Sequence, residues 1–433
     1  MEHKLRWYDF IFVNIYWLGI NMASGIITPI LLPYLVLQFM PPEQKNTYLA
    51  MVRVIGLAVA MLVQPLAGML SDRGTRWLGT HRWGRRRPFI VLGTIFNVLF
   101  LIVVGMTPSL VGARSDVLFM TLFGVTTAYA LLLVGIVALQ ISSNISHGAL
   151  QGLIPDVVPE DQRGRASGVK AVFELLPVFL VIFIGPLVDA GKIALTVGII
   201  IFGFVISMTT TILAVHEKPY AGSTHKHLNG PIVRLILLTV IFVGVTRLAV
   251  WGISSSAAAL QNAGVSDMMQ IAGVGAAGLL GMTGSIFIGV YAGASVGIGE
   301  QARQHQSFIW WVVNRLLFLA AVGSIQGFAQ YYLADVLHIP NAATMTTVLL
   351  GVVALFLMLI AVGTLGYTVI EGWNLRDSLF MTIITISTVG YNEVAPLSGR
   401  GEVFSMFLIL LGVGSAGYTF SVLTDYIVAG ELR

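Results

Sequence analysis

Apolar runs of roughly 20 residues, the length a helix needs to cross the hydrocarbon core of a bilayer, follow one another along almost the whole chain. Only short polar connections separate them. A chain written this way takes lipid as its solvent, and lipid admits only helices or closed barrels, because every backbone N–H and C=O must be satisfied internally. Barrel strands would be short and strictly alternating. The long unbroken runs therefore predict an all-α integral membrane protein. Composition excludes the water-soluble alternative: 56% of residues are hydrophobic and 10% charged, with mean hydropathy +0.87, against about a quarter charged in soluble domains. The absence of cysteine excludes disulfides and thiolate metal sites. The first run, from near Phe10, is too long for a removed signal and lacks a small-residue cleavage site, so it reads as a span.

The runs predict eleven spans, at 10-36, 50-70, 88-107, 117-141, 168-189, 193-215, 232-253, 271-297, 308-333, 343-368 and 402-428, plus one short pore helix. Orientation follows from the arginines and lysines of short loops. Lys4 and Arg6, the six arginines from Arg73 to Arg87, then Arg163, Arg165 and Lys170, Lys218 and Lys226, and Arg303 all fall on one side. That side is expected to be the cytoplasm, with the N-terminus, of a multi-pass protein in the plasma or inner membrane. A weak repeat relates span one (Trp17, Asn21, Gly25, then Pro33-Tyr34-Leu35) to span nine (Asn314, Gly323, Gly327, then Tyr331-Tyr332-Leu333). Spans seven and eight would then be an extra pair between two halves.

The loop after span two reads Gly68-Met69-Leu70-Ser71-Asp72-Arg73 and continues as Trp83-Gly84-Arg85-Arg86-Arg87-Pro88. Arginines alone would set orientation. The rest is more particular: a small residue at Gly68 permits close helix approach, Asp72 can accept charge-assisted bonds, and arginines beyond the turn can clamp helix ends. This wording resembles the loop motif of the major facilitator superfamily, most of all its sugar and sugar:cation symporter branches. The resemblance implies a transporter of a sugar or other small solute with a coupling cation. It also implies that Asp72 and Arg73, with Gly68, Gly84, Arg85 and Arg86, latch one state until the halves rock. A second match runs from Pro155-Asp156 through Pro159 to Arg163-Gly164-Arg165-Ala166-Ser167-Gly168.

Polar side chains inside spans are the default candidates for a solute path. Asn14 and Asn21, seven apart, share a helix face, and Glu174 lies about two turns inside span five. Glu174 reads equally as a proton-coupling carboxylate or as a neutral structural glutamate. Arg315 and Arg247 have an interfacial, snorkelling explanation. Two imidazoles, His225 and His227, do not make a metal site. No triad, paired carboxylates or phosphate loop stands out, so no catalytic residue, metal, cofactor or nucleic-acid partner is expected.

After Gly363-Thr364-Leu365-Gly366-Tyr367 and Glu371-Gly372-Trp373 comes a stretch, Asn374 to Ile386, too short to span. It leads into Ser387-Thr388-Val389-Gly390-Tyr391-Asn392-Glu393 and then a further span, Val403 to Val428. This order resembles the pore module of a two-span potassium channel: outer helix, pore helix, filter, inner helix. The resemblance implies a selectivity filter at Thr388, Val389, Gly390, Tyr391 and Asn392, with potassium as the permeant ion. Consecutive carbonyls replace the ion's water shell there, and glycine relieves the strain of pointing them inward. The channel family usually has a second glycine where Asn392 stands; asparagine tolerates left-handed geometry best among the others. One chain supplies one wall of a ring, so a working pore implies a homotetramer.

The expected domains are a facilitator-like half over 1-217, a linker with two extra spans over 218-307, the start of a truncated second half over 308-360, and a pore module over 345-433. These imply transmembrane transport by a facilitator body fused to a potassium-selective pore. The alternatives are a sugar/cation transporter with a vestigial pore and a non-transporting structural membrane subunit. One conflict is internal to this reading: ten spans before the pore put the filter on the cytoplasmic face, whereas the channel family needs it outside. Either a span is miscounted, in 271-297 or 117-150, or the join near 350 to 363 does not preserve orientation. Gly363 and Gly366 are the expected pivot between body and pore.

Overall fold

A computed structural model describes residues 4–73, 83–110, 120–217, 229–297, 306–387, 389–390 and 393–431. Among them every regular element is helical. In chain order these are α1 (Trp7–Ile26), a π-helical turn (Ile27–Leu31), α2 (Leu32–Phe39), α3 (Lys45–Arg73), α4 (Arg87–Met106), α5 (Thr127–Gln151) and α6 (Leu153–Val157). There follow α7 (Arg163–Val181), α8 (Gly185–Asp189), α9 (Ile193–Ala214), α10 (Asn229–Asn262), α11 (Asp267–Gly297), α12 (Gln306–Asp335), α13 (Ala342–Ile370), α14 (Leu375–Ile386) and α15 (Gly399–Glu431).

Ten helical segments among the described residues are long and apolar enough to cross a bilayer. The expected fifth span is the one that fails this test. It is broken into α7 and α8 by a turn at 182–184, carries Pro177 and Pro186, and holds Lys170 and Glu174 in its first half, with Arg163 and Arg165 just ahead of it on α7. Without it, nine spans precede the pore helix; with it, ten. Of the two stretches suspected of hiding a miscount, 271-297 does not, since it lies within the single helix α11. The expected fourth span is displaced, since α5 begins only at Thr127. Its start is fixed by Thr126, whose hydroxyl accepts from the Tyr129 N–H at 3.1 Å, an N-cap. Its polar second half, beyond the expected end at 141, stays helical with Ser142, Asn144 and Ser146 buried and bonded.

The chain divides into two compact units. The first comprises Met1–Val13, Val36–Ala166 and Met208–Gly327. In it α5 packs against both α3 and α4, and α10 pairs with α11. Two glycines set the first of these packings. A Cβ on Gly93 would lie 2.7 Å from the Ser142 carbonyl oxygen, and one on Gly148 would lie 2.6 Å from the Gln64 carbonyl oxygen, so backbones meet directly at both points. None of the most apolar stretch of α10 or of α11 is buried.

The second unit comprises Asn14–Leu35, Ser167–Ser207 and Phe328–Arg433. Pro29 lies in the π turn that follows α1; proline removes a ladder donor, and a π turn is one way a helix absorbs the loss. Gly19 of α1 admits the Ser207 hydroxyl and the Gly203 carbonyl of α9, and Tyr16 packs against Phe204 at 6.3 Å between centroids. The C-terminal module packs α13, α14 and α15 around Leu359, Tyr367, Met381, Ile384, Ile386 and Leu408. No pivot exists at Gly363 and Gly366. α13 runs unbroken through both, and they serve as close-contact points: Gly363 faces Thr382 and Leu408, and Gly366 faces the Phe404 ring.

Candidate functional sites

The basic loop motif builds a charged clasp in the first unit. Arg86, 5% exposed, is its centre. Its guanidinium donates to Asp156 Oδ2 at 2.8 Å and to the Ser71 hydroxyl at 2.6 Å, and pairs with Asp72. Arg85 also grips Asp156, through Nε at 2.9 Å and through a second bond from Nη2, and the carboxylate raises the Arg85 guanidinium above its ordinary value. Such bidentate, charge-assisted bonds fix orientation as well as energy. The end of α3, the start of α4 and α6 are thereby tied at one point. Glu217, just beyond α9, completes it by accepting the N–H groups of Arg86 at 2.9 Å and Arg87 at 3.0 Å. Those are unsatisfied donors at the start of α4, where a carboxylate also suits the helix dipole. Burial raises the Glu217 carboxyl above its ordinary value, and the N–H donors oppose that rise.

Glycines are required where the clasp is tightest. Gly84 sits at φ +89°, and a Cβ there would lie 2.3 Å from Glu217 Cβ. Gly152 leaves room for Arg86, whose Cζ would lie 2.3 Å from an added Cβ. Gly68 is a correction. A Cβ on it would be 3.9 Å from the Gly148 carbonyl oxygen, an ordinary contact, and the glycine that close approach demands is Gly148. Arg73 ends α3, and only its backbone is described. Asp72 thus pairs with Arg86, and the second sequence match contributes Asp156. Glu217, Gly148 and Gly152 escaped sequence reasoning, the first because a lone glutamate after a span carries no signal.

Of the in-span candidates, Asn14 is fully buried and Asn21 donates to the Trp17 carbonyl of its own helix at 2.9 Å. Glu174 pairs with Lys170 at 3.4 Å, and the Lys170 ammonium lies 4.0 Å from the centroid of the Trp17 ring. The structure therefore adds Trp17, 3% exposed, and Lys170 to this group. Lys170 reads in the sequence as an orienting charge; here it is a cation on an aromatic face, partnered by a carboxylate one turn on. Arg315 stacks on Trp311, 5.5 Å from the ring centroid, as an interfacial arginine would. His225 and His227 lie outside the described residues.

In the C-terminal module α14 is capped by Asn374, whose side-chain oxygen accepts from the Asp377 N–H at 3.0 Å while its amide donates to the Asp377 carboxylate at 2.7 Å. Gly390 takes φ +55° and donates to the Ile384 carbonyl at 3.1 Å. Among the described residues nothing lies within 4 Å of a Cβ built on it. Of the filter candidates only Val389 and Gly390 are described; Thr388, Tyr391 and Asn392 lie outside the described residues. Beyond the loop, Glu371 accepts from the Ser398 hydroxyl at 2.7 Å, and Tyr367 meets the Ser405 hydroxyl at 2.7 Å behind a stacked Trp373. The end of α13 and the start of α15 are thus pinned to each other.

Spans, clasp and short half-helix together define a polytopic, all-helical membrane protein. The chain belongs to the MFS/sugar transport protein family, whose match runs over residues 17–236. A second family, described as ion channel, matches residues 343–429. Human solute carrier family 45 member 4 is 31% identical over 151 residues, 35% of this chain and 17% of that protein. A sucrose transport protein of Arabidopsis thaliana is 26% identical over 128 residues, 29% of this chain and 21% of that protein. The general alpha-glucoside permease of Schizosaccharomyces pombe is 24% identical over 191 residues, 42% of this chain and 33% of that protein. The chain thus spans a third or less of each of these relatives. Among solved structures, a multidrug resistance MATE family transporter aligns with a TM-score of 0.33 and 16% identity, a likeness that carries no argument.

Proposed function

We propose that this protein is a facilitator-type transporter body for a sugar, with cation coupling, that carries a potassium-conducting pore. The observation that carries the pore is the order α13, capped half-helix α14, left-handed Gly390, α15, within the segment similar to ion channels. A half-helix ending at the filter directs its negative dipole end toward a cavity cation. Thr388 to Asn392 form the filter, and four chains converge to close the ring. Bare apolar side chains on α15, among them Phe407 and Leu410, suit partner chains or lipid. Purified full-length protein in liposomes is expected to pass potassium over sodium, and Gly390→Ala is expected to abolish that flux, since an added methyl disturbs the carbonyl geometry. A monomer in lipid with no potassium flux would leave the reading untenable.

The sugar reading draws on the named activities of the relatives and on the group Asn14, Trp17, Lys170 and Glu174. With Lys170 displaced from it, the Trp17 face beside the Glu174 carboxylate would suit a sugar's apolar face and its hydroxyls. The Lys170–Glu174 pair gives a coupling proton a place to bind. The protein resides in the plasma or inner membrane with a cytoplasmic N-terminus.

A further inference from the structure

Sugar body and pore meet inside one compact unit, through α13. Its first turn is held by Asp189, the last residue of α8. The Asp189 carboxylate accepts the Thr344 N–H at 2.7 Å, the Thr344 hydroxyl at 2.5 Å and the Ala343 N–H at 3.3 Å. Those are unsatisfied donors of a helix start whose own Asn341 makes no cap, so the cap comes from a different span. Just before it, Gly185 lies so close to α13 that an added Cβ would be 2.4 Å from the Thr347 hydroxyl and 2.6 Å from Thr344 Cα. The break between α7 and α8 is seated on the same helix. Ile182 Cδ1 would lie 2.3 Å from a Cβ on Gly351, and its carbonyl accepts from Thr347 at 3.4 Å.

The other end of α13 is the outer pore helix. Gly363, Gly366 and Tyr367 pack on α14 and α15 there, and no break intervenes in its 29 residues, about 43 Å of helix. At the near end, α7 carries Lys170 and Glu174 and leads within two to three turns into the seated break. A ligand that parts the Lys170–Glu174 pair therefore acts on the helix whose end is fastened to the pore's outer helix.

We propose that the chain works as a solute-gated cation channel, in which occupancy of the Trp17–Lys170–Glu174 group is passed to the pore through the Asp189 cap and the rigid α13. Asp189 is a positioning residue: it touches neither solute nor ion. This inference rests on the function proposed above.

The test uses full-length protein in liposomes, with sucrose as probe and two readouts, potassium flux and bound radiolabelled sucrose. In the unaltered protein, saturating sucrose changes the flux by roughly fivefold or more, the lower range of coupling between distinct sites. Asp189→Ala keeps both the basal flux and sucrose binding but loses the dependence of one on the other. Thr344→Val, which removes one of the three bonds, weakens that dependence and covers the case in which Asp189→Ala does not fold. Unaltered dependence in both variants overturns the proposal. So does flux indifferent to bound sucrose in the unaltered protein. A protein that neither conducts potassium nor binds sucrose overturns the function proposed above and this coupling with it.

Discussion

Gly148→Ala and Gly68→Ala are expected to have opposite effects, although the two residues face each other between α5 and α3. A methyl on Gly148 would stand 2.6 Å from the Gln64 carbonyl oxygen and 3.0 Å from the Gly68 nitrogen, both backbone atoms of α3. Backbone cannot swing aside as a side chain can, so the helices must part by a substantial fraction of an ångström. Overpacking of this kind costs about 1–3 kcal/mol. Gly68 is different: its added methyl meets its first neighbour at 3.9 Å. Alanine gains about 1 kcal/mol over glycine in a helix interior, so Gly68→Ala is neutral or stabilising. Thermal unfolding in detergent, followed by the monodisperse fraction remaining after heating, distinguishes the two. The expected separation is several degrees, at roughly 2–4 °C per kcal/mol for a unit of this size. A lower midpoint for Gly68→Ala than for Gly148→Ala would refute the assignment of the close contact to Gly148.

Asp72→Asn removes a half-exposed partner while Arg86 keeps Asp156 and Ser71, so stability should fall by about 1 kcal/mol or less. Sucrose uptake is expected to weaken with expression intact, and unchanged uptake counts against a latch role. Glu217 makes a pH prediction: its carboxyl is raised by burial, so the folded state holds the proton more tightly than the unfolded chain. Stability contributed by this group is therefore lost as pH rises from the ordinary value of 4.5 through the raised one, among facing charges Arg85, Arg86, Arg87 and Asp156. Glu217→Gln should flatten the fall of the unfolding midpoint across that window; parallel curves for the two proteins would sink the idea. Since the chain has no cysteine, Glu393→Cys gives a single thiol beside the proposed filter. Its labelling by an impermeant maleimide on intact cells is expected, and labelling only after permeabilisation would place this loop on the cytoplasmic face.

Class and the loop side of the clasp were legible in the sequence because both are written locally, whereas Asp156 and Glu217 reach Arg86 from 70 and 131 positions away. Lipid forces helices on any long apolar run, and Asp72, Gly84, Arg85 and Arg86 stand within twenty residues of one another. The half-helix was legible for the same reason: Asn374 and Asp377 cap it from within, and Ile386 ends it short of a span. What escaped depends on which helix lies opposite. Gly68 and Gly148 look alike in the text, and only the approach of α3 to α5 shows which of them admits no methyl. The polar second half of α5 lies beyond the span expected to end at 141, and burial gives Ser142, Asn144 and Ser146 their partners there. Lys170 reads as an orienting charge until Trp17, 153 positions earlier, is found beneath it. The pivot at Gly363 and Gly366 was likewise a local reading, overturned because Thr382, Leu408 and Phe404 fill the space those glycines leave. Sequence alone determined the solvent, the helices and the chemistry of each short motif, since backbone satisfaction and local capping need only near neighbours. Tertiary structure alone decided that Asp189 caps a helix more than 150 residues away, because an unsatisfied N–H takes whatever carboxylate the packing delivers.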